Sequence, residues 1–305
     1  FENNDIPIDC GFIVYNKKNY PNFIKILDYL EVLSEPSDMS FAMSVDKNFE
    51  YSGSLVGMLA NYKNILDKDY YKMIYDIFRF FKLSPKYLKK IDDNYTLDQF
   101  LNKFQFSDHF SKYHIIPMAS AIWSSPEKEI LKFPVKSLFD FYNNHQLLNF
   151  VERPQWRTIK KGSINYVNSL INHLNKNKNN VLHLNTEIID IKRNKSKQVL
   201  LDNKKRKHEF DYVVLACHTD QSSRIISNFD QKLSKLLKDF RYQNNLAYLH
   251  FDQSIMPKNR LVWSSWNYYT DSKKQISCIT YWMNKLQNLN NEKNIFITLN
   301  PINIP

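Results

Sequence analysis

A chain of 305 residues, 43% of them hydrophobic, can build two domains with separate cores, which excludes a disordered chain. The formal net charge of +11 raises an anionic partner, nucleic acid or an acidic membrane face. The basic residues fall in separated runs (Lys17-Lys18, Lys89-Lys90, Lys160-Lys161, Lys204 to Lys207, Lys273-Lys274), so they read as solvated surface, with no nucleic acid expected. No run approaches the ~20 apolar residues of a membrane helix.

In chain order, Ile6 to Tyr15 alternates weakly around Gly11 and predicts a strand. Tyr20-Pro21 opens a helix with apolar Phe23, Ile26, Leu27 and Leu30. Met39 to Ser52 predicts a hairpin. Lys68 to Lys82 predicts a helix with Tyr71, Ile74, Tyr75, Phe78 and Phe81 on one side, read as core first and ligand wall second. Thr96 with Gln99 forms a capping-box pattern, and Ser107 caps the next helix, in which Pro117 predicts a break or kink. Ser137 to Leu148 is a further amphipathic helix.

From Pro154 to Cys217 the order is a turn at Gly162, a helix over Ile164 to Leu174, strands Val181 to Leu184 and Thr186 to Ile191, and a polar hairpin over Asn194 to Lys207. It closes on Phe210 to Cys217, whose apolar run without alternation predicts a strand buried on both faces. Thr219 then caps a short helix, and another covers Leu233 to Phe240. Strands Leu246 to Phe251, Leu261 to Ser265, Ile276 to Met283 and Ile295 to Leu299 predict an antiparallel sheet.

Cys10, Cys217 and Cys278 are far apart and read as reduced, buried, cytosolic thiols. His114, His145, His218 and His250 have no metal-ligand spacing, so no metal is expected. Asp252 shares a strand face with His250 and admits a pair, with a satisfied or solvated histidine the plainer reading. Trp123, Trp156, Trp266 and Trp282 are candidate walls of a substrate pocket, against the plainer reading of each as core.

The words Asp9-Cys10-Gly11-Phe12, Tyr20-Pro21-Asn22-Phe23, Ile116 to Ser124, Arg153 to Thr158, Trp263 to Tyr268 and Thr298-Leu299-Asn300-Pro301 run in order over nearly the whole chain. With the Pro154 to Cys217 segment, they make the sequence resemble the flavin-containing amine oxidoreductases, in particular a bacterial branch of FAD/NAD-binding proteins. The resemblance implies an α/β (α+β) fold, a partial Rossmann-like FAD domain beside a substrate domain of helices and an antiparallel sheet. It apportions 1–15 and 154–226 to the FAD domain, 16–153 to a mainly helical substrate domain and 227–305 to its sheet. FAD is the implied cofactor, with Gly11, Phe12, Gly162, Ile188, Ala216 and Cys217 as its contacts.

The implied reaction is hydride transfer from a substrate C–H or C–N bond to flavin N5, in the cytoplasm, on a small apolar or amine substrate. No catalytic residue is assigned. Ala247 stands where these enzymes commonly carry a lysine, so desaturation or isomerisation fits as well as amine oxidation. Lys161 replaces the first of two glycines usual before the helix. The chain has four glycines and no GxGxxG cluster, so it is expected to be an internal fragment that binds FAD poorly alone and is inactive alone. The alternative is a basic binding module for RNA or a membrane surface on a flavoprotein scaffold without redox activity; peripheral membrane contact is admitted in either case.

Overall fold

The computed structural model describes residues 6–87, 90–123, 125–145, 154–194, 196–240, 242, 244–273 and 276–305. These form two units, Phe1–His173 with Asn245–Pro305, and Leu174–Asn244. Helices and sheets are mixed, as an α/β (α+β) chain requires.

The first unit begins with β1 (Val14–Asn16), α1 (Pro21–Tyr29), β2 (Ser34–Pro36), β3 (Phe41–Val45) and β4 (Phe49–Ser52). Short helices α2 (Leu55–Leu59) and α3 (Tyr62–Ile65) lead into the long α4 (Lys68–Tyr87). Then come α5 (Leu97–Lys103), α6 (Asp108–Phe110), α7 (Ile116–Trp123), α8 (Glu127–Leu131), α9 (Val135–Asn144), β5 (Trp156–Ile159) and α10 (Ile164–Asn175). In the second unit lie β6 (Ile188–Asn194), β7 (Lys197–Asp202), β8 (Lys207–Phe210), α11 (Thr219–Ile225) and α12 (Gln231–Leu237). The chain returns to the first unit with β9 (Ala247–His250), β10 (Trp266–Asp271), β11 (Ile276–Trp282), α13 (Met283–Leu286) and β12 (Phe296–Leu299).

The first unit carries a six-stranded sheet, β4-β3-β10-β11-β12-β9, and a three-stranded one, β1-β5-β2. The predicted hairpin and the predicted C-terminal strands join one sheet through a parallel pair, with Trp266 opposite Phe41 and Tyr268 opposite Met43. Leu261 to Ser265 is not a strand. Asn259 accepts the Leu261 N–H and caps a 3-10 turn over Arg260–Val262, and the strand starts only at Trp266. Likewise Ile6 to Ile13 is not a strand; pairing begins at Val14, and the loop before it is held by side chains instead.

Capping signals translate directly. Thr96 and Gln99 form the reciprocal box, and Ser107 accepts the Phe110 N–H. Pro117 is carried without a break. A π-helical turn over Ser111–Ile115 precedes it, so residues 108–123 stay helical. Proline cannot donate to the Tyr113 carbonyl four residues back. The Tyr51 hydroxyl donates to that carbonyl instead, at 2.8 Å.

The core of the first unit is aromatic. Tyr70, Met73, Ile77 and Phe80 of α4 pack with Phe100, Phe110, Phe139 and Tyr142 over Met43 and Tyr268 of the sheet. The predicted side of α4 divides, with Ile74 and Phe81 packed against this core. Tyr71, Tyr75 and Phe78 face outward, more than half exposed. Both sides of the helix are aromatic, and the sheet and neighbouring helices cover one.

In the second unit β6-β7-β8 is an antiparallel sheet. Asp202 is buried at the β7–β8 turn. It accepts from the N–H groups of Lys204 and Arg206 and from the Arg206 Nε, and sits 3.1 Å from the His208 ring. Burial opposes its charge, but these donors outweigh burial and hold the carboxyl well below its usual range. The run Tyr212 to Ala216 is not a buried strand. Tyr212 is 92% and Val214 88% exposed, and no strand among the described residues pairs with it. Val181 to Leu184 is also exposed and outside any strand. Burial on two faces needs flanking layers, and the described residues of this unit supply none there. Thr219 is the first residue of α11 and not its cap, which is His218.

Candidate functional site

The words nearest the start of the chain meet the turn before α10. Lys161 (φ 64°) and Gly162 (φ 86°) both sit in the left-handed region, so the replaced glycine still adopts the turn. The Asp9 carboxylate accepts the Ser163 N–H through both oxygens at 2.9 Å, and the Ser163 hydroxyl lies 3.0 Å from Asp9 Oδ2. Asp9 in turn donates its N–H to Gln287 Oε1, and Gln287 Nε2 donates to the Pro7 carbonyl. A Cβ on Gly162 would lie 3.3 Å from Asp9, Gln287 and Pro7 at once. A carboxylate at the helix N-terminus satisfies free N–H groups and the helix dipole. This end of α10 therefore already holds its anion.

Gly11 lies two residues on, exposed, with nothing within 4 Å of where a Cβ would stand. Its surface is open to the close approach of a flat ligand. Phe12 is exposed and packs edge-on to Phe23. Gly11, Phe12 and Gly162 thus gather around one loop, held by Asp9. The other expected FAD contacts belong to the second unit. Ile188 is half-buried on edge strand β6, beside a register shift. Ala216 and Cys217 are exposed at the end of the unpaired run. Cys10 and Cys217 are exposed, against the expectation of burial, because neither lies in a packed element. Cys278 alone is buried, which pushes its thiol up to about 11.

The four tryptophans lie in the first unit, with Trp266 and Trp282 on opposite faces of the six-stranded sheet, because Trp266 stands opposite Tyr281. Trp123 packs on Phe141, Phe141 on His145, and His145 stacks on Trp156 with rings 5.7 Å apart. Trp266 packs edge-on to Tyr281 of β11, and Trp282 stands edge-on to Trp263. Trp282 donates its Nε1 to Asn294. Trp266 Nε1 is buried and has no partner among the described residues, a condition that proteins seldom leave unmet.

The sequence did not mark one ionisable pair. Tyr268 lies two residues along β10 from Trp266 and so on the same face. Its hydroxyl donates to Glu127 Oε1 at 3.2 Å. Burial pushes the Glu127 carboxyl up, and the tyrosine bond only partly offsets this. Glu127 and Tyr268 are 141 positions apart, so no local spacing announces them. His250 is a satisfied histidine. Its Nδ1 accepts the Asp252 N–H, its Nε2 lies 2.7 Å from Thr298 Oγ1, and burial lowers its pKa. The metal expectation rested on spacing alone, but among the described residues the fold brings one cluster together. Ligand atoms of Asp67, Asp69 and His109 lie within 4.8 Å of one another, although Asp67 already accepts the Asp69 N–H at the start of α4.

A family model for flavin-containing amine oxidoreductases matches residues 1–289. The chain belongs to that family. FAD is the cofactor of this family, as the sequence resemblance implied. No curated protein matches the sequence. Solved structures with this fold include a putrescine oxidase variant (TM-score 0.60, 12% identity, covering 95% of this chain and 63% of that one). Cyclohexylamine oxidase from Brevibacterium oxydans is similar (TM-score 0.60, 11% identity, 96% and 63%). So is a fatty acid isomerase from P. acnes that produces CLA (TM-score 0.53, 12% identity, 97% and 66%). At these identities the likeness is one of fold, and the chain spans 63% of the two amine oxidases.

In the first unit Gly11 has open space beside its backbone, and in the second Ile188 stands on an edge strand. The described residues offer no glycine-rich pyrophosphate cradle, since the N-terminus of α10 is filled by Asp9.

Proposed function

We propose that the protein is an FAD-dependent oxidoreductase of the amine oxidase type, acting on a small amine or apolar substrate. The reaction is hydride transfer from a substrate C–H or C–N bond to flavin N5. Family membership over residues 1–289 carries this reading. Neighbours named for putrescine, cyclohexylamine and a fatty acid support both substrate classes.

The flavin supplies the two-electron acceptor when bound. The chain's own residues bind, orient and exclude water. Gly11 and Phe12 would hold the ring end, with Gly162 shaping the turn beside them, and Ile188, Ala216 and Cys217 would hold the adenosine end. Trp123, Trp156 and Trp266 supply apolar wall, which keeps water from the reacting bond; Trp282 lies on the other face of the sheet. Trp266 Nε1 is an unused donor for a polar substrate group. Glu127, whose carboxyl burial pushes up, accepts from the hydroxyl of Tyr268, which shares a strand face with Trp266.

The test is flavin absorbance after incubation with FAD, then anaerobic addition of putrescine, cyclohexylamine or an unsaturated fatty acid. Bleaching of the bound flavin by an amine supports the oxidase reading. Bound flavin that none of these substrates reduces refutes it. Trp266→Phe should raise KM and leave flavin content unchanged.

A further inference from the structure

We propose that the outer face of α2, α3 and α4 docks the protein on an anionic lipid bilayer. This goes beyond the redox reading and does not rest on it.

The surface is unusual in what it leaves uncovered. On α2, Leu55, Val56 and Leu59 are exposed, Leu55 at 81%. Around α3, Tyr62 and Leu66 follow, Leu66 also at 81%. Tyr71, Tyr75 and Phe78 continue along α4 at i, i+4, i+7 spacing, one stripe of a helix. Helices α2 and α4 are tied together, since buried Tyr70 of α4 donates its hydroxyl to the Met58 carbonyl of α2. Contiguous apolar surface of this kind marks an interaction site.

Charge decides the partner. Lys63, Lys68, Lys72, Lys82 and Lys86 are all exposed on the same segment, and none is in an ion pair among the described residues. On α4, Lys68, Lys72, Lys82 and Lys86 share the arc of Tyr71, Tyr75 and Phe78. Opposing them are exposed Asp69 and half-exposed Asp67. Leucine and tyrosine at the acyl boundary, with lysine ammonium groups among headgroup phosphates, is the arrangement of an interfacial helix. A two-fold self-contact would set this lysine stripe against itself. A nucleic acid would leave Leu55, Val56, Leu59 and Leu66 with neither phosphate nor base to pair. No helix of the described residues is long and apolar enough to cross a membrane, so the contact is peripheral.

The experiment is co-sedimentation of the whole chain with vesicles of phosphatidylcholine alone or mixed with phosphatidylglycerol. Binding is expected to the mixed vesicles, weakening with salt. Lys68→Glu with Lys72→Glu should lower partitioning by about fivefold or more per lysine. Leu55→Ser with Leu59→Ser should abolish it at unchanged circular dichroism. Lys204→Glu with Lys205→Glu, on the β7–β8 turn, should leave it unchanged and controls for bulk charge. The proposal is overturned by no binding, by equal loss in the Lys204/Lys205 variant, by equal binding to neutral vesicles, by single-stranded RNA displacing the vesicles, or by self-association that the Leu55/Leu59 variant removes. None of these readouts needs flavin or turnover, so failure here is separate from failure of the proposed function.

Discussion

Gly162→Ala separates what the α10 turn needs from what the flavin needs. At φ 86° a side chain is strained, by about 1–2 kcal/mol for an L-residue. The added Cβ also meets Asp9 Oδ1, Gln287 Nε2 and Pro7 Cβ, each at 3.3 Å. Asp9 cannot move freely, because both its oxygens hold the Ser163 N–H. Weakening that bond adds about 1 kcal/mol. The expected loss is about 2–3 kcal/mol, a fall in Tm on the order of 5–10 °C. Gly162→Asn should recover part of it, since asparagine tolerates the left-handed region but keeps the crowding. Gly11→Ala is the counterpart. It has open space and no positive φ, so stability should stay within about 0.5 kcal/mol, while flavin affinity should fall if the ring lies over Gly11. Urea unfolding and flavin titration of all three variants give the comparison. A neutral Gly162→Ala, or a Gly11→Ala as unstable as Gly162→Ala, would refute the reasoning.

Tyr51→Phe should cost about 1–3 kcal/mol in urea unfolding, because it leaves the Tyr113 carbonyl before Pro117 without its donor. Glu127→Gln should stabilise the protein at neutral pH. The Glu127 carboxyl is raised in the fold, so its stability contribution is whole below the ordinary value of 4.5 and is lost as pH rises through the folded value; the two proteins should converge in acid. Asp202 has the opposite sign. Its folded value is depressed, so its contribution is present above the ordinary 3.8 and fades as pH falls below it, which proton exchange at Lys204 and Arg206 would report. Acid exchange unchanged by Asp202→Asn would refute this.

What the sequence made legible was local chemistry. The capping box at Thr96, the serine cap at Ser107 and Pro21 at the start of α1 each act within a few residues, and each stands where expected. The family words proved to be fasteners. Ser265 donates to Asp38, Asn267 closes the turn onto Ser264, and Asn300 accepts the Leu246 N–H. Their order along the chain was readable, but their partners were not. The Asp9–Ser163 contact spans 154 positions and the Tyr268–Glu127 contact 141.

The faces that were read wrongly share one cause. On α4 the Tyr70-Met73-Ile77 side and the Tyr71-Tyr75-Phe78 side are equally apolar to a periodicity argument, and only the arrangement of β3, α6 and α9 decides which is covered. Tyr212 to Ala216 carries the composition of a strand buried on two faces, yet among the described residues nothing flanks it. An apolar run states that a surface must be covered and not what covers it. Where the fold supplies the cover, the run becomes core. Where it leaves lysines among the leucines and tyrosines, as on α2 to α4, the cover lies outside the chain, and its charge is the opposite of theirs.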